Sequence, residues 1–132
     1  MILVDTSVWI DYFRGGELPQ TQTLTQAISR GDDLCVCGIV LTEILQGISS
    51  EKERHSVKTL LDTLIFLPMP KESFELAAQI YRQAKEKGQT IRNTTDCLIA
   101  ACAISHKAPL LQNDKDYVVI ARYSKLKLVY EI

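Results

Sequence analysis

Short apolar stretches that alternate with helical stretches are the feature that most constrains how this chain can fold. The apolar stretches lie at residues 2–4, 34–37, 65–67, 109–111 and 126–130. Strands that are this short and largely apolar, and that are joined through helices, are typical of a parallel sheet covered on both faces. We therefore expect an α/β fold with three layers, α/β/α, around a central parallel sheet of four to five strands.

Helices are predicted between these strands. The stretch with the clearest amphipathic pattern carries Phe74 and Tyr81 on its apolar face, whereas residues 97–104 are small or apolar all round and predict a buried central helix. Thr94 and Thr95 are the expected caps of that central helix. The predicted helices lie at residues 6–14, 19–30, 40–48, 51–64, 71–87, 96–106 and 114–123.

The composition fits one domain spanning residues 1–132. Hydrophobic residues make up 46% of the chain, which is enough for a core, yet no apolar run approaches the ~20 residues of a membrane span. Asp5 interrupts the apolar N-terminus and no basic region precedes it, so we expect a cytoplasmic protein without a secretory signal. The cysteines at positions 35 and 37 lie in a short strand-like run and those at 97 and 102 in an apolar helical run, so all four are interpreted as buried thiols, not as zinc ligands.

Acidic residues stand where the predicted strands end and the predicted helices begin. Ligands of an open parallel sheet bind beyond the carboxyl ends of its strands, and right-handed crossovers would bring these acids to that edge. A carboxylate at a helix start can also be a simple cap, so position alone leaves a structural role open for Asp5, Asp96 and Asp114. Glu43 is harder to explain as structural, because it flanks an apolar arc of its helix. The five acids are Asp5 after the first strand, Glu43 and Asp96 on helices, and Asp114 and Asp116, which follow the polar Asn113 after the fourth strand.

Clustered carboxylates have a definite chemical meaning. They repel one another and take up protons unless a cation compensates their charge. Oxygen ligands suit hard divalent ions, and Mg²⁺ or Mn²⁺ is therefore the expected cofactor. The reaction class that fits such a site is metal-assisted hydrolysis of a phosphodiester.

Four motifs carry a resemblance that covers nearly the whole chain. They are VDTSVWIDYFRG at residues 4–15, TEILQG at 42–47, DCLIAA at 96–101 and NDKDY at 113–117. With these motifs in this order, the chain resembles the PIN-domain ribonucleases, and among them the VapC-type toxins of prokaryotic toxin–antitoxin pairs. The resemblance implies a PIN-like fold, an endoribonuclease that leaves a 5′-phosphate and a 3′-hydroxyl, a homodimer, and inhibition by a VapB-like antitoxin in a larger complex.

The resemblance also implies roles for individual residues. Asp5, Asp96 and Asp114 would hold the metal, and Glu43 would complete the site and orient or deprotonate the attacking water. Asp114 and Asp116 could exchange primary and supporting roles, and the number of metal ions and the RNA that is cleaved stay open. The supporting residues would be Thr6, Ser7, Asn113 and Asp116.

An RNA substrate also calls for basic residues near the acidic edge. Arg14 and Arg92 are the candidates, since both lie beside the loops that are expected there. The chain has 15 basic and 16 acidic residues, and setting aside the five site carboxylates leaves 11 acids against those 15 bases. A near-neutral total is thus compatible with a positively charged surface around an acidic pocket.

Three other classes of protein fit the sequence less well. A haloacid-dehalogenase-type phosphatase needs a second aspartate where Ser7 stands, and a receiver domain needs an aspartate at the end of the third strand, where residues 67–69 are Leu-Pro-Met. A catalytically degenerate PIN domain that serves as a binding scaffold would lack one or more of the four acids. All four are present, and an RNA cleavage assay with Mg²⁺ or Mn²⁺ would separate the enzyme from the scaffold.

Overall fold

Four parallel strands form a single sheet in the computed structural model, which describes residues 1–129. They are β1 (Ile2–Val4), β2 (Leu34–Cys37), β3 (Ile65–Leu67) and β4 (Leu110–Leu111), in the spatial order β3-β2-β1-β4. The chain thus moves outward from β1 to β3 and then returns to the other side of β1. The strand order reverses between β1 and β4, and the carboxyl end of that pair is where an open α/β sheet binds its ligand.

The described chain has seven helices, of which six lie between strands and the seventh follows β4, and the predicted α/β fold with a parallel central sheet is confirmed. They are α1 (Thr6–Phe13), α2 (Pro19–Arg30), α3 (Gly38–Gln46), α4 (Glu51–Leu61), α5 (Lys71–Glu86), α6 (Thr94–Ser105) and α7 (Lys115–Arg122). None of the helices within residues 1–129 combines the length and the hydrophobicity needed to cross a bilayer.

The helix α6 is the central buried helix that its apolar sequence predicts. Residues from Ile99 to Ala103 are fully buried, and α6 packs mainly against α5. The cysteine side chains are buried as free thiols, two on β2 and two on α6. Small residues along α6 allow neighbouring elements to approach it closely, and this packing fixes the direction in which its first turn points.

The start of α6 differs from the prediction. The helix begins at Thr94, two residues earlier than expected, and its cap is Asn93 instead of Thr94 or Thr95. The Asn93 side-chain oxygen accepts a hydrogen bond from the Thr95 backbone N–H at 3.2 Å. Asparagine is among the best N-cap residues, and its use here places Asp96 inside the first helical turn.

The fifth strand and the buried face of α5 also differ from expectation. Leu128 forms only an isolated parallel bridge with Leu110, and Tyr130, the end of that predicted strand, lies outside the described residues. On α5 the buried positions are Ser73, Ala77, Ile80 and Ala84, whereas Phe74 is 48% exposed. Helical spacing alone does not fix which of two adjacent stripes faces the core.

Candidate active site

Asp5 leaves β1 and starts α1 at the point where the strand order reverses. Val4 is paired with Leu111 of β4, and the Asp5 backbone N–H donates to the Leu111 carbonyl at 2.9 Å. The Asp5 carboxylate caps α1, accepting from the Ser7 backbone N–H at 3.3 Å and from the Ser7 hydroxyl at 2.7 Å. The Asp5 side chain is buried, and these two donors fix the orientation of its carboxylate group.

Asp114 and Asp116 follow the neighbouring strand β4. Asp114 caps α7, and its Oδ1 accepts from the Asp116 backbone N–H at 2.9 Å. The side chain of the buried Gln112 accepts a hydrogen bond from the Asp114 backbone N–H and so anchors the loop that carries Asp114. Both carboxylates therefore leave a short and well-anchored turn at the same edge of the sheet as Asp5.

Asp96, Asp114 and Asp116 come together at this edge. One carboxylate oxygen from each lies within 4.8 Å of the others. A cavity of about 360 Å³ is lined by these three acids together with Arg92 and Asn93. An open cavity with three converging carboxylate oxygens suits a hard divalent cation such as Mg²⁺ or Mn²⁺, which prefers oxygen ligands.

The Tyr117 hydroxyl connects Asp5 to this group. It lies 2.8 Å from the Asp5 Oδ1 and 3.3 Å from the Asp96 Oδ1. Tyr117 is fully buried, and burial together with the two carboxylates raises its pKa well above the ordinary value. The hydroxyl therefore stays protonated and acts as a donor between two acids from distant parts of the chain.

The electrostatics of the cluster leave Asp96 without a compensating positive charge. Burial, and then the negative charges of Asp5 and Asp114, raise the pKa of Asp96 to about 7. At neutral pH the Asp96 carboxyl is thus divided between its neutral and its charged form. A divalent cation would oppose the repulsion that causes this shift, and the donor set therefore fits such an ion.

Arg92, the predicted substrate-binding residue, contacts the acids directly. Its Nη2 donates to Asp114 Oδ1 at 3.2 Å and its Nε donates to Asp116 Oδ2 at 3.3 Å. The hydrogen bond and charge of Asp116, with a smaller effect of Asp114, raise the pKa of Arg92. Its guanidinium lies at the mouth of the cavity.

Glu43 is held beside Asp5 by a different element. The Thr6 hydroxyl donates to the Glu43 Oε1 at 2.6 Å, which joins the first turn of α1 to the middle of α3. Glu43 is not part of the group formed by Asp96, Asp114 and Asp116. It borders the site on the Asp5 side, where Thr6 fixes one of its oxygens.

The remaining predicted residues lie farther from the cluster. Asn113 is exposed between β4 and α7. Arg14 is exposed at the other end of α1, where it borders a groove with Phe13, Ile44 and Ile48. The described structure thus brings Arg92 to the acids and leaves Arg14 about two and a half helical turns away from Asp5 along α1.

Besides Asn93, which lines the cavity, two buried residues contribute to this site without being predicted by the sequence. Tyr117 belongs to the NDKDY motif but falls on the buried face of α7, where an aromatic residue is expected as packing. Gln112 immediately follows β4, and a polar residue directly after an apolar strand is the signal that the sequence offers; the structure shows that this glutamine is buried. Both act through hydrogen bonds that depend on tertiary structure.

The strand order and the acidic edge at its switch point define a PIN-type α/β/α domain. Residues 2–125 match the family model of the PIN domain, and the chain belongs to this family. It is similar to ribonuclease VapC11 of Mycobacterium tuberculosis and to VapC ribonuclease Mb1587 of Mycobacterium bovis, at 36% identity over 129 residues and 96% of each chain. Ribonuclease VapC1 of Methanocaldococcus jannaschii is 30% identical over 88% of this chain and 77% of that protein.

Solved structures share the same fold. The structure of VapBC2 from Rickettsia felis bound to a promoter DNA fragment superposes with a TM-score of 0.76, at 21% identity over 97% of both chains. VapBC-1 from nontypeable Haemophilus influenzae gives a TM-score of 0.75, also at 21% identity, over 97% of this chain and 96% of that chain. These similarities confirm the PIN-like architecture.

Proposed function

We propose that this chain is a divalent-metal-dependent endoribonuclease and the toxin of a toxin–antitoxin pair. The observation that carries the proposal is the convergence of Asp96, Asp114 and Asp116 at the switch point of the sheet, with Asp5 linked to Asp96 through Tyr117. The similar proteins named VapC ribonucleases support the same activity. One catalytic domain would span residues 1–132.

Several of these acids would bind the cation together. Asp5, Asp96 and Asp114 would hold Mg²⁺ or Mn²⁺, and Asp116 lies close enough to Asp96 and Asp114 to share in this. Such an ion neutralises charge at a scissile phosphate and favours deprotonation of water. The Ser7 hydroxyl and the Tyr117 hydroxyl hold the Asp5 carboxylate from both sides, so that its orientation is set before a ligand arrives.

Glu43 is the group that we assign to the attacking water. Its Oε1 is occupied by the Thr6 hydroxyl, which leaves Oε2 to orient the water or to accept its proton. Attack on the phosphorus with departure of the 3′-oxygen leaves a 5′-phosphate and a 3′-hydroxyl. Thr6 is then a positioning residue for Glu43, and Asn113 would assist at the exposed rim of the site.

Arg92 and Arg14 would contact the RNA backbone. The Arg92 guanidinium is at the cavity mouth, where a phosphate must pass to reach the acids. Arg14 is at the far end of α1 and would contact a more distant phosphate of an extended strand. An acidic pocket in a chain whose other charged residues are more often basic than acidic is consistent with a polyanionic substrate that binds together with a cation.

We further propose that the protein is a cytoplasmic homodimer that is inhibited by a VapB-like antitoxin. Structures of the same fold include a toxin–antitoxin complex from Klebsiella pneumoniae, with a TM-score of 0.73. Cysteines that are buried as free thiols are compatible with a reducing compartment. Toxin and antitoxin would assemble into a larger complex.

The experiment is a cleavage assay with purified, antitoxin-free protein on total cellular RNA. We expect cleavage with Mg²⁺ or Mn²⁺, none with a chelator, and 5′-phosphate ends when the products are sequenced. Asp96→Asn should abolish cleavage, whereas Asp62→Asn, an exposed aspartate paired with Lys58 on α4, should leave it unchanged. Absence of cleavage with either ion would instead indicate a binding scaffold without catalytic activity.

A further inference from the structure

Arg92 donates three hydrogen bonds to two acids of the cluster, Asp114 and Asp116. Its backbone N–H and its Nε both donate to the Asp116 Oδ2, at 3.2 Å and 3.3 Å. Its Nη2 reaches the Asp114 Oδ1 at 3.2 Å. The guanidinium therefore lies against two of the three carboxylates whose oxygens converge, and it supplies the positive charge that those two lack.

The contact of the Arg92 side chain is easily reversed. Its side chain is 73% exposed, while that of Asp116 is only 12% exposed. An exposed guanidinium returns to water at little cost. Asp116 would still accept the Arg92 backbone N–H after the side chain had left, so its buried carboxylate would keep a donor.

A divalent cation held by this group would bind the same two carboxylates, Asp114 and Asp116. The Asp114 Oδ1 already accepts from the Asp116 backbone N–H as well as from Arg92, and little capacity is left on that atom while the guanidinium is in place. A guanidinium next to a doubly charged ion is repelled by it. The two cations therefore compete for Asp114 and Asp116.

We propose that Arg92 is a tethered counter-ion that a divalent cation displaces from Asp114 and Asp116. This inference rests on the proposed function, since it assumes that the cluster binds a metal. The displaced guanidinium stays at the cavity mouth because the Arg92 backbone remains bound to Asp116. Metal entry is thereby coupled to the release of a cation that can meet the RNA phosphate.

The test measures metal binding directly, by calorimetric titration of Mn²⁺ without RNA. Arg92→Met removes the competing charge, and we expect Mn²⁺ to bind about three- to tenfold more tightly than to wild type. Arg92→Lys keeps the charge and should stay near the wild-type affinity. The matched control is Arg30→Met, which removes an exposed arginine that is paired with Asp32 before β2, and its affinity should be unchanged.

A second measurement follows the guanidinium itself. In ¹⁵N spectra, the Arg92 Nε–H signal should shift during titration with diamagnetic Mg²⁺ and should exchange faster with water. Equal or weaker Mn²⁺ affinity of Arg92→Met, or a constant Arg92 signal while Mg²⁺ binds, would overturn the inference even if wild type cleaves RNA. Failure of wild type to bind either ion would overturn both this inference and the proposed function.

Discussion

The Tyr117 hydroxyl lies 2.8 Å from the Asp5 Oδ1 and 3.3 Å from the Asp96 Oδ1. A single O–H group from α7 thus joins an acid at the end of β1 to an acid in the first turn of α6. The hydroxyl has one proton to donate, and the shorter distance assigns it to Asp5. The Asp5 and Asp96 carboxyl groups, which repel each other when both are charged, lie on either side of this hydroxyl.

The first prediction concerns removal of that hydroxyl. Tyr117→Phe leaves the buried Asp5 with fewer donors, and we expect a loss of about 1–2 kcal/mol of stability in the metal-free protein. RNA cleavage should fall by roughly tenfold, because Asp5 and Asp96 would no longer be held in place before the metal binds. Chemical unfolding and single-turnover cleavage measure the two effects.

Tyr81→Phe is the matched control for Tyr117→Phe. Tyr81 is a partly buried tyrosine on α5 that packs against the core and does not line the cavity. Removal of the Tyr81 hydroxyl should leave the rate of RNA cleavage unchanged. Full cleavage activity in a folded Tyr117→Phe variant would show that the bridge has no catalytic consequence.

The second prediction concerns the link between Thr6 and Glu43. Thr6→Val keeps the shape of the side chain but removes the donor to the Glu43 Oε1. We expect cleavage to fall by about three- to tenfold, with little change in Mn²⁺ affinity, because Glu43 is assigned to the water and not to the metal. Thr6→Ser should restore most of the activity.

A double-mutant cycle tests whether Thr6 acts through Glu43. We expect Glu43→Gln to cleave RNA much more slowly than wild type. Adding Thr6→Val to this variant should then change the cleavage rate very little. If the two substitutions lower the cleavage rate by independent factors, Thr6 does not work through Glu43 and the assignment is wrong.

The third prediction is a pH dependence of metal binding. The pKa of Asp96 is about 7 without metal, so a proton must leave this carboxyl before the ion can bind at lower pH. Mg²⁺ affinity should rise with pH up to about 7 and level off above it, with proton release near pH 6. Calorimetry in buffers of different ionisation enthalpy counts these protons. A constant affinity from pH 6 to pH 8.5 would contradict the shift.

The fourth prediction concerns the stability of the metal-free protein. The folded pKa of Asp96 is raised from 3.8 to about 7, so its contribution to stability is full below 3.8 and is lost as pH rises through 7. Asp96→Asn removes the buried charge and should stabilise the protein at pH 8 by roughly 1–2 kcal/mol, after allowance for solvent screening. Thermal unfolding with a chelator at pH 5.5 and pH 8 measures the difference, and a destabilised Asp96→Asn at pH 8 would refute it.

Much of the fold could be predicted from the sequence, because it follows from local sequence patterns and from general properties of parallel sheets. Short apolar strands between helices predict a parallel sheet, and ligands bind at the carboxyl ends of such strands. Asp5 and Asp114 stand directly after β1 and β4, so their approach follows from topology. The end of α4 at Leu61 and the start of α6 at Thr94 depend on capping and packing, and these boundaries shifted by two to three residues.

The interior of the site was less predictable because its contacts join distant segments. Tyr117 has the pattern of a core residue, and only the tertiary structure shows that its hydroxyl reaches Asp5 and Asp96. Arg92 lies in a loop without periodicity, and its pairing with Asp114 and Asp116 depends on how that loop meets the turn after β4. The position of an arginine in the sequence does not show whether its side chain contacts a carboxylate of the protein or a phosphate of a substrate.

The central claim is that a divalent cation binds at the carboxyl ends of β1 and β4 and is required for RNA cleavage. The most direct measurement is the anomalous difference map of crystals soaked in Mn²⁺, recorded for wild type and for Asp96→Asn. We predict a wild-type peak within about 2.2 Å of carboxylate oxygens of Asp96 and Asp114, and a much weaker peak in Asp96→Asn. A wild-type map without a peak at these carboxylates, from protein that still cleaves RNA, would contradict the account.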